Sequence, residues 1–232
     1  MVEKIRLSGD EMPELGLKQN PFAPKVIQPN RPIALEDVKA YLNALVVVAG
    51  NYCLEHTIQN ARGEAVKKCI ADLREYRNLR RKYRRTEQEK QRLELYERRI
   101  NEYLKQHPEI IDTHLQKQFE IRGRDSYYAN DILKTIKAAQ KLCKALGIEP
   151  PEMVYLDYED LYEISREICE QHKFRYLKVG WDASRLLCVL AYNVVYHYYK
   201  ALPQEKVTQE LNEAVEEFDN AITDLKISLD WE

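Results

Sequence analysis

Between Glu64 and His107 the chain contains neither glycine nor proline, and this feature most limits the folds that it can adopt. At 1.5 Å per residue, an unbroken helix over this stretch would be about 65 Å long. The whole chain of 232 residues has only 7 glycines, whereas the tight turns of an all-β protein need many residues with positive φ. We therefore predict an all-α protein, a multi-helix bundle with one long charged helix or a helical hairpin over residues 64–107.

The choice between one long helix and a hairpin depends on a gap in the apolar pattern. An apolar seam reaches Tyr83, vanishes over the fully polar residues 86–91 and resumes at Leu93. In the gap the helix either leaves the core or breaks into two antiparallel helices. The predicted seam residues are Ile70, Leu73, Tyr76, Leu79, Tyr83, Leu93, Tyr96, Ile100 and Leu104.

The remaining chain divides into an arm and one domain. Residues 1–33 contain five prolines, which disfavour helix and predict an extended N-terminal arm. Residues 34–232 are predicted to form a single all-helical domain. Its helices should include one from Leu35 to about Gln59, with Val38, Leu42, Leu45 and Val46 on its buried side, and one that ends at Gly147. Residues 181–202 form a helix that is apolar nearly all round and should be central.

The last helix carries a regular heptad seam. Its apolar residues are spaced alternately by four and three, which is typical of a coiled coil and requires a partner helix inside the domain or in a dimer. We predict these residues as a partner interface: Leu211, Val215, Phe218, Ile222, Leu225 and Leu229.

Charge is divided along the chain. Residues 61–145 hold 22 basic and 13 acidic side chains, whereas residues 146–232 hold 8 basic and 18 acidic ones. The formal net charge of −2 therefore hides a bipolar molecule. Either the acidic half neutralises the basic half, or each half faces its own partner. Two rows of like charge have the same helical spacing, and we expect both to face solvent mainly. The lysine row consists of Lys134, Lys137, Lys141 and Lys144, and the acidic row of Asp160, Glu163, Glu167 and Glu170.

The most suggestive constellation combines cations with aromatic side chains. Residues 77–85 hold six cations, and a loop containing "RGRDSYY" is followed at once by the lysine row. Cations spaced along a surface displace counterions from nucleic acid, and aromatic faces stack on unpaired bases. The predicted nucleic-acid-binding residues are Arg74, Arg77, Arg80, Arg81, Arg84, Arg85, Arg122, Arg124, Tyr127, Tyr128, Lys134, Lys137, Lys141 and Lys144.

Catalytic and metal motifs are absent from the sequence. Arg185, Asn193 and His197 share a face of the apolar helix and could line a pocket, but such residues more often fix helix packing. The five histidines do not cluster at metal-ligand spacing, and no Glu-x-x-His pair or phosphate-binding glycine motif occurs. We therefore expect no catalysis of its own and no cofactor.

The cysteines and the hydropathy of the chain indicate its cellular location. The five cysteines are odd in number and widely spaced, which indicates buried reduced thiols and a cytoplasmic location. The longest apolar run is too short to cross a bilayer.

The sequence thus favours a helical subunit that binds RNA or DNA backbone, with a protein partner or homo-oligomer at its acidic C-terminal half. The alternative is a protein–protein adaptor or assembly factor with two oppositely charged docking faces.

Overall fold

The structure, a computed structural model, describes residues 28–60, 78–80, 82–106, 123–156, 160–161, 163–164, 166–167 and 181–225. Within these residues every secondary-structure element is helical, which confirms the predicted all-α class. The helices are α1 (Leu35–Asn60), α2 (Glu87–Gln106), α3 (Gly123–Ala145), α4 (Trp181–Ala201) and α5 (Gln209–Asp224), with a 3-10 turn at Gln204–Lys206. Most of the predicted N-terminal arm lies outside the described residues.

Helix α1 begins at Leu35, as predicted. A carboxylate in its first turn accepts a hydrogen bond from a backbone amide at the helix start that has no partner within the helix. The Asp37 carboxylate accepts hydrogen bonds from the Ala34 amide at 2.8 Å and from both terminal nitrogens of Arg31 at 2.8 Å. A carboxylate in the first turn also interacts favourably with the helix dipole. The predicted inward face of α1 is buried, including Val38, Leu42 and Leu45.

Helix α3 ends as the sequence predicts but begins earlier. Gly147 has φ 69°, and its amide bonds to the Lys144 carbonyl while Ile148 bonds to the Cys143 carbonyl at 2.8 Å, which is a Schellman motif. The sequence predicts a loop over residues 121–130 and a helix from about Asp131, whereas residues from Gly123 onward are helical, so the predicted loop is wrong from Gly123 to Asn130. A glycine near a helix N-terminus costs little, since Gly is well tolerated there, and it does not mark a loop here.

Four helices form a ring around the core. Helix α1 packs against α3 and α4, and α5 packs against the same two helices from the other side. Helix α4 has buried residues from Leu186 to Val195 around most of its circumference, as its nearly continuous apolar sequence predicts. Helix α2 adds Leu93, Tyr96 and Ile100 to the same core.

An extended segment joins α2 to this ring. Residues 148–156, here called the strap, lie between two asparagine side chains. Asn101 of α2 bonds both the Tyr155 amide, at 2.7 Å, and the Tyr155 carbonyl, at 3.1 Å. Asn51 of α1 accepts from the Leu156 amide at 2.7 Å and donates to the Val154 carbonyl. Since successive backbone groups of an extended chain point to opposite sides, the two asparagines act like neighbouring strands.

The heptad seam of the last helix is filled from within the chain. Leu211, Phe218, Ile222 and Leu225 are buried, and Val215 is half-buried. Helix α5 packs them against α3 and α4. The partner helices that the seam requires are therefore intramolecular for the four buried residues, which is one of the two arrangements that the heptad pattern predicts. Leu229 lies outside the described residues.

The proposed long charged helix is interrupted. Residues 78–80 form a helical turn, the chain bends at Tyr83 and Arg84, and α2 begins only at Glu87. In the described part of residues 64–107 the chain therefore consists of separate helical pieces. The hairpin alternative predicts such a break, but the antiparallel arrangement of two helices lies beyond what the described residues show.

The described helices include none long and apolar enough to cross a membrane. Three of the five cysteines, Cys53, Cys143 and Cys188, are free and buried, and burial raises their thiol pKa, for Cys143 to about 11. A thiol with a raised pKa is a poor nucleophile at neutral pH, so these three have the packing role that the sequence predicts. Cys69 and Cys169 lie outside the described residues.

Candidate nucleic-acid interface

The bend between residues 82 and 86 is held at both of its ends. On the preceding side, the Arg85 guanidinium donates to the Leu79 carbonyl at 2.8 Å and to the Arg80 carbonyl at 2.7 Å. These carbonyls belong to the last turn of a helical piece, where carbonyls lack the regular helical partner four residues on, and the Leu79 carbonyl also accepts from the Lys82 amide at 3.1 Å. Arg85 therefore serves as a C-terminal cap and is half-buried rather than displayed.

On the following side, α2 begins with a capping box. The Thr86 hydroxyl accepts from the Glu89 amide at 3.3 Å, and the Glu89 carboxylate accepts from the Thr86 amide at 2.9 Å. Lys82 also donates to the Glu89 carboxylate. The hydrogen bond from Lys82 comes first among the causes that lower the pKa of Glu89, followed by the bond from the Thr86 amide. This Thr-x-x-Glu pattern is readable in the sequence and marks the break that an apolar count alone does not locate.

Between these two caps the chain presents an aromatic ring and two cations to solvent. Tyr83 is 92% exposed, and Arg84 and Lys82 beside it are exposed as well. The apolar spacing predicts Tyr83 as part of the buried seam, which is wrong, because the seam ends with the buried Leu79 one turn earlier. Tyr83 thus offers a free aromatic face beside a cation, and it is the functional candidate that sequence reasoning missed.

Arg80, by contrast, faces the strap. Its guanidinium carbon lies 5.2 Å from the centroid of the Tyr155 ring, and its Nη1 donates a hydrogen bond to the Tyr155 hydroxyl. Tyr155 is buried. Thus, of the three arginines described between residues 80 and 85, two form internal contacts and only Arg84 lies fully on the surface.

The lysine row of α3 is displayed as expected. Its four members are exposed: Lys134, Lys137, Lys141 and Lys144. Lys141 forms an ion pair with Glu217 of α5, and Lys134 lies 3.6 Å from Asp131. The acidic half therefore neutralises the basic half at Lys141, while the acidic row at Asp160, Glu163 and Glu167 is exposed elsewhere.

Several predicted site residues cannot be placed. Arg124, Tyr127 and Tyr128 lie on the helical backbone of α3, but their side chains are outside the described part of the structure. Outside the described residues altogether are Arg74, Arg77, Arg81 and Arg122.

Of the polar residues on one face of α4, namely Arg185, Asn193 and His197, the middle one has a structural role. Asn193 is fully buried, and its side chain donates to the Val189 carbonyl at 2.9 Å, one turn back. His197 is half-buried against the Tyr196 ring, with the ring centroids 5.4 Å apart. The side chain of Arg185 lies outside the described part. Across the residues that the structure describes, no three His, Cys, Asp or Glu side chains come together as a metal site.

Comparisons of this chain with family models, with curated proteins and with solved structures give no match.

Proposed function

We propose that this protein is a non-enzymatic helical subunit that binds single-stranded nucleic acid, stacking an unpaired base on Tyr83 while Lys82 and Arg84 contact phosphates. The observation that carries this proposal is the 92% exposure of Tyr83 between two exposed cations. An aromatic face with adjacent positive charge is the combination that single-strand binders use, because every base has a π-face to stack and every nucleotide a phosphate.

The rigidity of the bend supports the proposal. Arg85 caps the turn before it, and the capping box of Thr86 and Glu89 fixes the helix after it. A ring displayed on a fixed backbone loses less conformational freedom on binding than a ring on a mobile loop. The lysine row of α3 offers further cations for the backbone, and the net charge of +9 over residues 61–145 favours an anionic partner. The free buried thiols are compatible with the expected cytoplasmic location.

An adaptor function is the second candidate, and the charge of α5 favours it. Glu210, Glu213, Glu216 and Glu217 are all exposed on this helix, opposite in sign to the lysine row of α3. In this reading the two faces dock onto two proteins within a larger assembly, and nucleic acid has no part.

The deciding experiment is fluorescence anisotropy with a labelled 20-nucleotide poly-U and poly-dT, and with a duplex of the same length, between 25 and 300 mM salt. We expect Tyr83→Ala to weaken single-strand binding about tenfold, since stacking contributes about 1–3 kcal/mol per base. Tyr83→Phe keeps the π-face and should bind almost as the parent protein does.

Charge reversal provides the matched comparison. Arg84→Glu should lower the affinity and flatten the slope of log affinity against log salt by about one unit per lost contact. Lys39→Glu, which reverses an exposed cation on α1, should leave the slope unchanged. Absence of binding at 25 mM salt, or equal binding by the Tyr83→Ala variant, would reject the proposal and leave the adaptor function.

A further inference from the structure

A pocket of about 440 Å³ lies between α4 and α5, and no residue of the basic bend lines it. Its α4 wall consists of Tyr192, Tyr196 and Tyr199, which follow one face of the helix at spacings of four and three residues. Phe218 and Asp219 of α5 line the other wall. This volume is in the range of small-molecule sites, which are mostly apolar with a few polar groups that set specificity.

The polar group of this pocket is an under-satisfied carboxylate. Asp219 Oδ1 is buried and has no hydrogen-bond partner within the described part of the chain, while the Tyr192 hydroxyl is hydrogen-bonded to the same carboxyl group. Burial, chiefly, and the nearby charge of Glu216 raise the pKa of Asp219, although the Tyr192 hydrogen bond acts in the other direction. A buried carboxylate oxygen without a donor is costly, so it favours a ligand that brings positive charge or an N–H group.

The aromatic wall already holds one cation. Lys200, at the rim, has its Nζ 5.8 Å from the centroid of the Tyr196 ring. An ammonium group within about 6 Å of a tyrosine face is attracted by the negative charge of the π-system. Tyr192 and Tyr196 lie side by side, with centroids 6.2 Å apart and planes tilted by 31°, so they offer adjacent faces.

We propose that this pocket binds an organic cation, with its ammonium head group against the rings of Tyr192 and Tyr196 and its charge balanced by Asp219 and Glu216. The proposal is independent of nucleic-acid binding, because the pocket and the bend share no residue. Lys200 acts in it as a competing internal cation, which the ligand displaces from the Tyr196 face.

Isothermal titration calorimetry with choline, on the full chain, tests the proposal. The matched neutral probe is 3,3-dimethylbutan-1-ol, which has the same shape as choline with carbon in place of the charged nitrogen. We expect choline to bind at least tenfold more tightly than this alcohol. Nα-acetyl-lysine methylamide is the third probe, and tighter binding of it than of choline would identify a lysine side chain of a protein as the source of the ammonium group.

Two substitutions should change choline affinity in opposite directions. Asp219→Asn removes the balancing charge and should weaken binding about tenfold, whereas Lys200→Met removes the competing cation and should strengthen it severalfold. Lys206→Met, an exposed lysine on the 3-10 turn outside the pocket, should have no effect. Equal affinity for choline and the neutral alcohol, or weaker choline binding by Lys200→Met, would overturn the proposal. Circular dichroism of each variant separates loss of binding from loss of fold.

Discussion

The guanidinium carbon of Arg80 lies 5.2 Å from the centroid of the Tyr155 ring, and Arg80 also donates a hydrogen bond to the Tyr155 hydroxyl. This contact connects residues that are 75 positions apart in sequence, and it ties the basic run to the strap. The basic run is therefore divided in function. Arg80 and Arg85 hold the chain together, and Tyr83 and Arg84 are displayed to solvent.

Removal of the Arg80 side-chain charge should destabilise the fold. We expect Arg80→Leu to lower the free energy of unfolding by about 1–2 kcal/mol, because it removes a hydrogen bond to a charged group and a cation–π contact. Tyr155→Phe removes only the hydroxyl and should cost about 1 kcal/mol. Urea denaturation of both single variants and the double variant gives the coupling energy, which should be clearly nonzero because the two side chains are in contact.

Arg84→Leu is the control for this cycle. Arg84 is exposed four residues beyond the helical turn, so its loss should change stability by no more than about 0.5 kcal/mol. If Arg84→Leu were as destabilising as Arg80→Leu, the division of the basic run into internal and displayed arginines would be wrong.

Asn101 should be among the least replaceable polar residues of the chain. Asn101→Ala leaves both the amide and the carbonyl of the buried Tyr155 without their partners, and we expect it to cost about 2–4 kcal/mol. Asn101→Asp keeps an acceptor for the amide but places a carboxylate against the carbonyl, so it should also destabilise. Glu102→Ala, at the neighbouring exposed position, is the comparison in chemical denaturation. A loss below about 0.5 kcal/mol for Asn101→Ala would mean that water replaces the asparagine.

Phe218→Ala tests whether the heptad seam belongs to the core. Phe218 is 1% exposed, and truncation of a core phenylalanine typically costs about 3–5 kcal/mol. The unfolding midpoint of the parent protein should also be independent of protein concentration, since the chain itself covers the seam. A midpoint that rises with concentration, together with a loss under about 1 kcal/mol, would return the seam to a role in oligomerisation.

Local sequence signals predicted the parts of the fold that local interactions determine. The start of α1 at Leu35 and the helix stop at Gly147 follow from residues within one turn of each boundary. The buried faces of α1 and α5 follow from apolar spacing. Tyr83 continues the apolar spacing past Leu79, but the helical turn ends before it, and the capping box of Thr86 and Glu89 is the local sequence signal of that break.

Other features depend on contacts between distant positions. Asn51 meets Leu156 across 105 positions, and Asn101 meets Tyr155 across 54. The only local sign of this arrangement is that each asparagine occupies a position inside a helix where a better helix former is expected. The pocket between α4 and α5 is likewise not predictable from the sequence, because its tyrosines have the same helical spacing as residues of an ordinary buried face.

Asp219→Asn should stabilise the protein at neutral pH and have little effect in acid. Burial raises the folded-state pKa of Asp219 above that of the unfolded chain, near 3.9. Below that value both states are protonated and the carboxyl group contributes no pH dependence. As the pH rises above the unfolded-state pKa, Asp219 ionises first in the unfolded chain. The parent protein therefore loses stability that the Asp219→Asn variant retains. We expect a gain of about 1 kcal/mol in urea denaturation at pH 7.5 and almost none at pH 3.5, with Glu205→Gln, an exposed carboxylate, unchanged throughout. A variant that is less stable than the parent at pH 7.5 would show that the ionised carboxylate is already satisfied in the folded chain, and the pocket would then have no unbalanced charge to offer a cation.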